Sequence, residues 1–138
     1  MTNVNTRRGE TTLLPICIKD TGKYGRGVYA TRDIKKGELI EASPVLVSCQ
    51  DEWKYLEKTI LFDYCFTWGN NYEHTAIALG YGSLFNHSYM PNATFVNNLD
   101  NLSIDFYAFN DIKEGEEITI NYNEDVEDKN PLWFDVIE

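Results

Sequence analysis

The clearest hydrophobic pattern in this chain has a period of two, and it predicts short strands. Over Leu102 to Phe109, Leu102, Ile104, Phe106 and Ala108 share one face, while Ser103, Asp105, Tyr107 and Phe109 share the other. Glu117 to Tyr122 repeats the alternation, with Ile118 and Ile120 set against Thr119 and Asn121. Val28 to Thr31 and Glu38 to Ser48 read as two strands joined by the turn Asp33 to Gly37. They form an opening β-hairpin in which Pro44 marks a bend or bulge. Leu13 to Ile18 is a brief apolar run interrupted by Pro15, whose missing N–H suits an edge strand. Thr21 to Gly27, with three glycines, reads as a loop. One segment breaks the pattern: Asp51 to Leu61 sets Trp53, Leu56 and Ile60 at helical spacing with charges elsewhere, which predicts an amphipathic helix. Periodicity and turns together predict a mostly β chain of several small sheets with one helical insert.

Two hexapeptides, Asp33-Ile34-Lys35-Lys36-Gly37-Glu38 and Asp111-Ile112-Lys113-Glu114-Gly115-Glu116, are near copies, each a turn that enters a strand. Nothing else repeats, so they read as recurring turn chemistry. The tail from Asn123 to Glu138 is acidic except for Pro131-Leu132-Trp133-Phe134, an apolar cluster that is costly to leave in water. At 138 residues and 43% hydrophobic, the chain fits one domain with a modest core. The polar first residues, 1–12, lack the apolar run of a signal peptide or membrane span. The expectation is an intracellular protein that does not engage membranes.

A formal net charge of −10 disfavours direct binding to nucleic acid and favours a basic partner. Acid gathers late, at Glu114, Glu116, Glu117, Glu124, Asp125, Glu127 and Asp128; it either steers such a partner or only keeps a solvated face soluble. Cys17, Cys49 and Cys65 are odd in number and widely spaced, which suggests neither a disulfide framework nor a zinc cluster. With only His74 and His87 besides, no metal site is expected.

Three segments carry more specific information. Gly25-Arg26-Gly27-Val28-Tyr29-Ala30 comes first and continues to Ile34-Lys35-Lys36-Gly37-Glu38-Leu39-Ile40. Tyr81-Gly82-Ser83-Leu84-Phe85-Asn86-His87-Ser88-Tyr89-Met90-Pro91-Asn92-Ala93 comes next, and Gly115-Glu116-Glu117-Ile118-Thr119-Ile120-Asn121-Tyr122 closes the set. In this order they resemble the signature segments of the SET domain, the protein lysine methyltransferase module, in the minimal stand-alone form seen in bacteria and large DNA viruses. The resemblance implies a β-clip SET fold of small curled sheets, in which a C-terminal pseudoknot brings Asn86-His87 beside Tyr122. It divides the chain into a polar N-terminal segment (1–12), a SET domain (13–122, with 49–80 as the variable insert) and a short tail without zinc (123–138).

The chemistry it implies is transfer of methyl groups from S-adenosylmethionine to a lysine amine, with S-adenosylhomocysteine as product. This is an in-line displacement, in which alignment matters more than acid or base strength. A channel of tyrosines suits the task, since ring faces exclude water and tolerate a cation while hydroxyls orient the nitrogen. Tyr122 matches the family tyrosine whose hydroxyl lies near the transferring methyl; alone, it would read as a strand-end core aromatic. Tyr64 resembles an insert residue lining the lysine channel, and Tyr81 is a second channel candidate; core packing competes for both.

Asn86 and His87 match the segment that holds the cofactor, with His87 contacting it through backbone rather than acting as acid or base. A polar turn before Met90-Pro91 is the other explanation. Gly25, Arg26 and Gly27 match the first cofactor loop, where glycine permits close backbone approach, or else form a plain turn. Asn92 matches a loop-fixing asparagine. Many eukaryotic relatives close the pocket with a cysteine-rich zinc tail, which has no counterpart after Cys65. Trp133 or Phe134 is placed to cover the adenine instead, or to pack or form a dimer contact.

The leading expectation is an active protein-lysine methyltransferase acting on a basic protein, histone or histone-like, possible as a homodimer. It would be cytoplasmic in a bacterium, or intracellular in an infected host if viral or a secreted effector. The competing reading is a SET module that binds a basic peptide without methylating it. A third, a cysteine hydrolase using Cys49 or Cys65 with His87 and an asparagine, has the residue types but no nucleophile signature.

Overall fold

The computed structural model describes residues 13–138, so the polar segment 1–12 lies outside the described residues. Among the described residues, nine strands form two sheets. The first has four strands in the order β1 (Ile16–Asp20), β2 (Arg26–Ala30), β9 (Glu117–Ile120) and β6 (Asn86–His87). The second has five, in the order β4 (Cys65–Trp68), β5 (His74–Ala78), β3 (Leu39–Ser48), β8 (Ser103–Ala108) and β7 (Ala93–Asn98).

The domain does open with a hairpin, but not the expected one. β2 pairs back onto β1, Val28 opposite Ile18, while β3 leaves for the other sheet, so the segments 28–31 and 38–48 never pair. The reason is the turn between them. Ile34 exchanges backbone hydrogen bonds with Ile112, both 2.8 Å, which spends the turn on its near copy instead of on a hairpin. The two hexapeptides face one another as a pseudo-symmetric pair. Lys36 N–H reaches Asp111 Oδ1 at 2.8 Å and Glu114 N–H reaches Asp33 Oδ1 at 2.9 Å; Gly37 N–H binds the Ala108 carbonyl and Gly115 N–H the Ala30 carbonyl. Gly37 and Gly115 both sit at positive φ, +86° and +89°, where a side chain would be strained.

The loop expected over 21–27 stops at Gly25, and Arg26 and Gly27 begin β2. Pro44 marks a change of partner rather than the bulge: β3 pairs with β8 through Pro44 and with β5 from Val45, while the register shift lies between Leu39 and Glu41. The helix expected over 51–61 contracts to α1 (Trp53–Leu56), one turn between two 3₁₀ turns. Its expected inner face is not buried, and Ile60 is 71% exposed. A single turn cannot hold itself, because nucleation costs more than one hydrogen bond returns. The insert's lasting structure is the β4–β5 hairpin, which extends the second sheet, and β7 also went unpredicted.

The core draws on both sheets and both twin turns. Val28, Ile118 and Ile120 come from the first sheet, Ile40, Ile104 and Phe106 from the second, and Ile34 and Ile112 from the turns; all are at most 1% exposed. Each such side chain is worth about 1.5–3 kcal/mol on full burial. Phe85 packs on Phe106 with ring centroids 4.6 Å apart, which ties the residue before β6 to the core. Leu102, expected on this apolar face, instead turns outward at φ +53°.

Candidate active site

Crossing of chain segments builds the site. β6 is only two residues long and lies parallel to β9, Asn86 beside Thr119 and His87 beside Ile120. Parallel neighbours need a long connection, here the whole of β7 and β8. The chain leaving β9 then turns under this pair. Asn121, 2% exposed, donates from Nδ2 to the Asp128 carbonyl at 2.7 Å and accepts the Asn123 N–H at 2.9 Å, which fixes that turn. Asn92 pins the loop after β6 from the other side: Nδ2 donates to the Glu117 carbonyl and Oδ1 accepts the Thr119 N–H, both at 2.9 Å.

Tyr122 stands at the junction of three cavities. On one side, a cavity of about 170 Å³ is walled by Tyr64, Phe66, Phe85, Phe95, Tyr122 and Trp133, with Asp63 and Glu124 also lining it. On the other, a cavity of about 200 Å³ is lined by Tyr24, Asn86, His87, Phe134 and residues 135–137. A third, about 240 Å³, shares Asn86, Tyr122 and Phe134 with the second, and Asp63, Tyr64, Tyr122 and Trp133 with the first. The Tyr122 hydroxyl donates to the Phe85 carbonyl at 2.7 Å, which leaves its oxygen lone pairs as acceptors. Burial, with the nearby Tyr64, Glu117 and Asp63, pushes its phenol well above the ordinary tyrosine range. Its hydroxyl is therefore neutral.

His87 is buried and accepts the Tyr122 N–H at Nδ1, 3.0 Å, so its ring proton resides on Nε2, which is shielded from water and has no partner. Burial depresses its pKa, with Glu138 pulling weakly the other way. Asn86 donates from Nδ2 to the Arg26 carbonyl at 2.9 Å and to Glu117 Oε2 at 2.8 Å. Both bonds require the amide nitrogen at that end, so the orientation of the side chain is set and Oδ1 is left without a donor among the described residues. The other Glu117 oxygen accepts the Tyr24 hydroxyl at 2.5 Å. Gly27 lies against this cluster. A Cβ there would fall 2.5 Å from Glu117 Oε2 and 2.9 Å from Asn86 Nδ2, so any larger residue must displace these two side chains.

The structure thus brings Tyr122, Tyr64, Asn86, His87 and Trp133 around one set of cavities; of the expected loop, Arg26 binds Asn86 through its carbonyl and Gly27 packs beside it, while Gly25, Arg26 and Gly27 line none of these cavities. Tyr81 is not among them. It lines none of these cavities, packs against the core, and gives its N–H to the buried Glu41. Of the two tail aromatics, Phe134 borders the cavity that contains His87, while Trp133 stacks on Tyr122 at 6.1 Å and 18° and faces the other. The Trp133 indole N–H donates to Asp63 Oδ1 at 3.0 Å, and the Glu138 carboxylate takes the Ser88 hydroxyl and the Tyr89 N–H, which seats the tail.

Sequence reasoning missed Tyr24, Glu117 and the wall residues Phe66 and Phe95. Glu117 lay inside a quoted motif but read as part of an acidic field, and only the pairing of β2 with β9 shows what it holds. The hydrolase reading fails on geometry, because no cysteine is hydrogen-bonded to His87 among the described residues. Cys65 points to the Phe62 carbonyl, and burial raises its thiol pKa. No group of His, Cys, Asp and Glu suited to a metal occurs among the described residues, and no described helix is long and apolar enough to cross a membrane.

Residues 25–123 match the SET domain family. Over 122 residues the chain is 35% identical to a Schizosaccharomyces pombe protein named histone-lysine N-methyltransferase, H3 lysine-37 specific, with 88% of this chain and 78% of that one aligned. Among solved structures it resembles a Plasmodium falciparum protein described provisionally as a histone methyltransferase, with a TM-score of 0.65 and 32% identity over 80% of this chain and 95% of that one. It also superimposes on ctPRC2 in an autoinhibited conformation bound to S-adenosylmethionine, with a TM-score of 0.66. At 22% identity, covering 80% of this chain but 15% of that one, this likeness speaks to the fold alone.

Proposed function

The chain belongs to the SET-domain family of protein lysine methyltransferases, and we propose that it methylates lysine in a basic protein, histone being the favoured class, using S-adenosylmethionine held between Asn86, His87 and the C-terminal tail. One observation carries this reading: Tyr122, a neutral tyrosine, lines both an aromatic tube and a polar-ended cavity. That is the arrangement needed to bring an amine and a methyl donor together from opposite sides.

The residues fit the cofactor. Asn86 Oδ1 is an acceptor with fixed orientation, suited to an ammonium group, and His87 Nε2–H is a buried donor in want of a partner. Tyr24 and Phe134 supply ring faces for a flat base and a positive sulfur. When bound, S-adenosylmethionine supplies an electrophilic methyl group on a cationic sulfur.

Asp63 and Glu124 attract the ammonium of an incoming lysine to the tube mouth. Phe66, Phe85 and Phe95 then strip its water, which disfavours the charged form and lowers the lysine pKa from about 10.4. Tyr122 Oη and Tyr64 orient the neutral nitrogen, and Trp133 closes the wall. No residue of the tube is required as a base; the proton leaves to solvent at the mouth of the tube as the amine is stripped of water. Histone as substrate draws support from the name of the fission yeast relative and from the net charge of −10.

Purified protein incubated with S-adenosylmethionine and core histones, followed by mass spectrometry, tests the proposal. Methylation at a defined lysine is expected, lowered about 10²-fold by Tyr122→Phe through lost alignment. Absence of transfer together with absence of cofactor binding would favour a module that only binds basic peptides.

A further inference from the structure

The insert holds a further open cavity that adjoins the aromatic tube at Thr67, which lines both. Its volume is about 550 Å³, and its walls include Trp53, Tyr72, Asp51, Glu73 and His74. We infer that this cavity receives an arginine side chain of the substrate protein, close in sequence to the target lysine; the inference rests on the lysine-methyltransferase reading and adds a specificity site to it.

The chemistry of the walls points to a guanidinium. Two aromatic faces and two carboxylates are what a flat, weakly hydrated, permanently charged group can use at once, by stacking and by paired hydrogen bonds. Glu73 is already held in place, with Oε1 accepting the Asn71 N–H at 3.0 Å and Oε2 3.6 Å from His74 Nε2. Lys54 also borders the cavity, but its ammonium lies over the Tyr55 ring, 5.2 Å from the centroid, and does not neutralise the two carboxylates. The volume exceeds the needs of a lysine tip and leaves room for the wider guanidinium fork.

The shared wall fixes the spacing. An extended peptide advances about 3.3 Å per residue, and the two cavities share Thr67, so the arginine lies within a few residues of the methylated lysine.

Nine-residue peptides with a central lysine in an alanine, serine and glycine background, carrying one arginine moved through each other position, test the inference. In wild type, one register should raise kcat/KM about tenfold over the arginine-free peptide. Lysine in that register should give a smaller gain. The double variant Asp51→Asn, Glu73→Gln keeps the cavity's shape and should abolish the gain while leaving the arginine-free rate unchanged. Equal rates at every register, or a gain that survives in the double variant, would overturn the inference.

A fluorescein-labelled series with methionine in place of the central lysine, read by anisotropy, separates the two claims. Register-specific binding that the double variant loses, with no transfer from any lysine peptide, would uphold the cavity and sink the reaction. Transfer with no register preference in either readout would do the reverse.

Discussion

Removal of the Glu117 carboxylate should weaken cofactor binding without touching the cofactor's own cavity wall. Its two oxygens take the Tyr24 hydroxyl at 2.5 Å and the Asn86 amide at 2.8 Å, and hydrogen bonds to an ionised partner are worth about 1.5–3 kcal/mol each. Glu117→Ala leaves Tyr24 without an acceptor and Asn86 with the Arg26 carbonyl alone. The Asn86 amide is then held by one bond instead of two, and whenever it turns over it presents N–H₂ where an ammonium needs oxygen. With the lost negative charge, the expected penalty on S-adenosylmethionine affinity is about 1.4–2.8 kcal/mol, roughly 10- to 100-fold in Kd.

Glu117→Gln keeps one acceptor for Asn86 and a donor for the Tyr24 oxygen, so it should fall between wild type and alanine. Calorimetric titration of the three proteins with S-adenosylmethionine and S-adenosylhomocysteine gives the ranking. The product lacks the sulfonium charge and should lose less than the substrate when the carboxylate is neutralised. A well-folded Glu117→Ala protein with the wild-type Kd would refute the argument, and equal losses for Gln and Ala would refute its orientational half.

Other consequences follow from the same geometry. Gly27→Ala pushes a methyl group to 2.5 Å from Glu117 Oε2 and 2.9 Å from Asn86 Nδ2, so cofactor affinity should fall at least tenfold and the thermal midpoint should drop, as read by titration and calorimetry. Trp133→Ala removes the stack on Tyr122 and the bond to Asp63, and should raise KM for the peptide more than it changes cofactor Kd, in steady-state kinetics. His87 carries a pKa below its ordinary 6.5 because it is buried, so the unfolded chain takes up a proton first as the pH falls. Stability should be complete above about 6.5 and decline below it towards the depressed value. Thermal unfolding from pH 8 to 5 checks this, and a His87→Gln variant should flatten that limb.

The sequence motifs predicted which residues meet at the site better than how the chain gets there. Asn86, His87 and Tyr122 lie in segments whose residue types are demanding, and each segment contains a hydrophobic anchor, Phe85, Ile118 or Ile120, that fixes its depth. Strands β8 and β9 were legible for the same reason, since alternation over four or more residues states a buried face. Sheet membership was not. Whether the turn at Asp33 closes a hairpin depends on a partner 75 to 81 residues away, and no local pattern encodes that.

The insert failed differently. Helical spacing over 51–61 was real, but only Trp53 and Leu56 found partial cover, and hairpin β4–β5 carries the packing in its place. Tyr81 was judged by residue type, yet the turn that begins there sends its N–H to Glu41 and leaves the ring against the core. That one of the tail aromatics would approach the site was readable from Pro131 to Phe134. That Phe134 meets His87 while Trp133 meets Tyr122 depends on the indole's bond to Asp63, a residue of the insert.

The pairing of the two twin turns also governs when the protein can begin to work. Their mutual bonds close loops of 75 and 81 residues, and β6 must wait for β9 before either has a neighbour along that edge. Contacts this distant in sequence are the slow ones in folding, because the entropy of closing the loop is lost before the contact returns anything. A growing chain that has left the ribosome only as far as β8 has its Asn86 and His87 but nothing to set them against. Cofactor recognition therefore arrives late, with the segment from Asp111 to Tyr122 and the tail that follows it to Ile137, and a half-made chain has no partial affinity to waste.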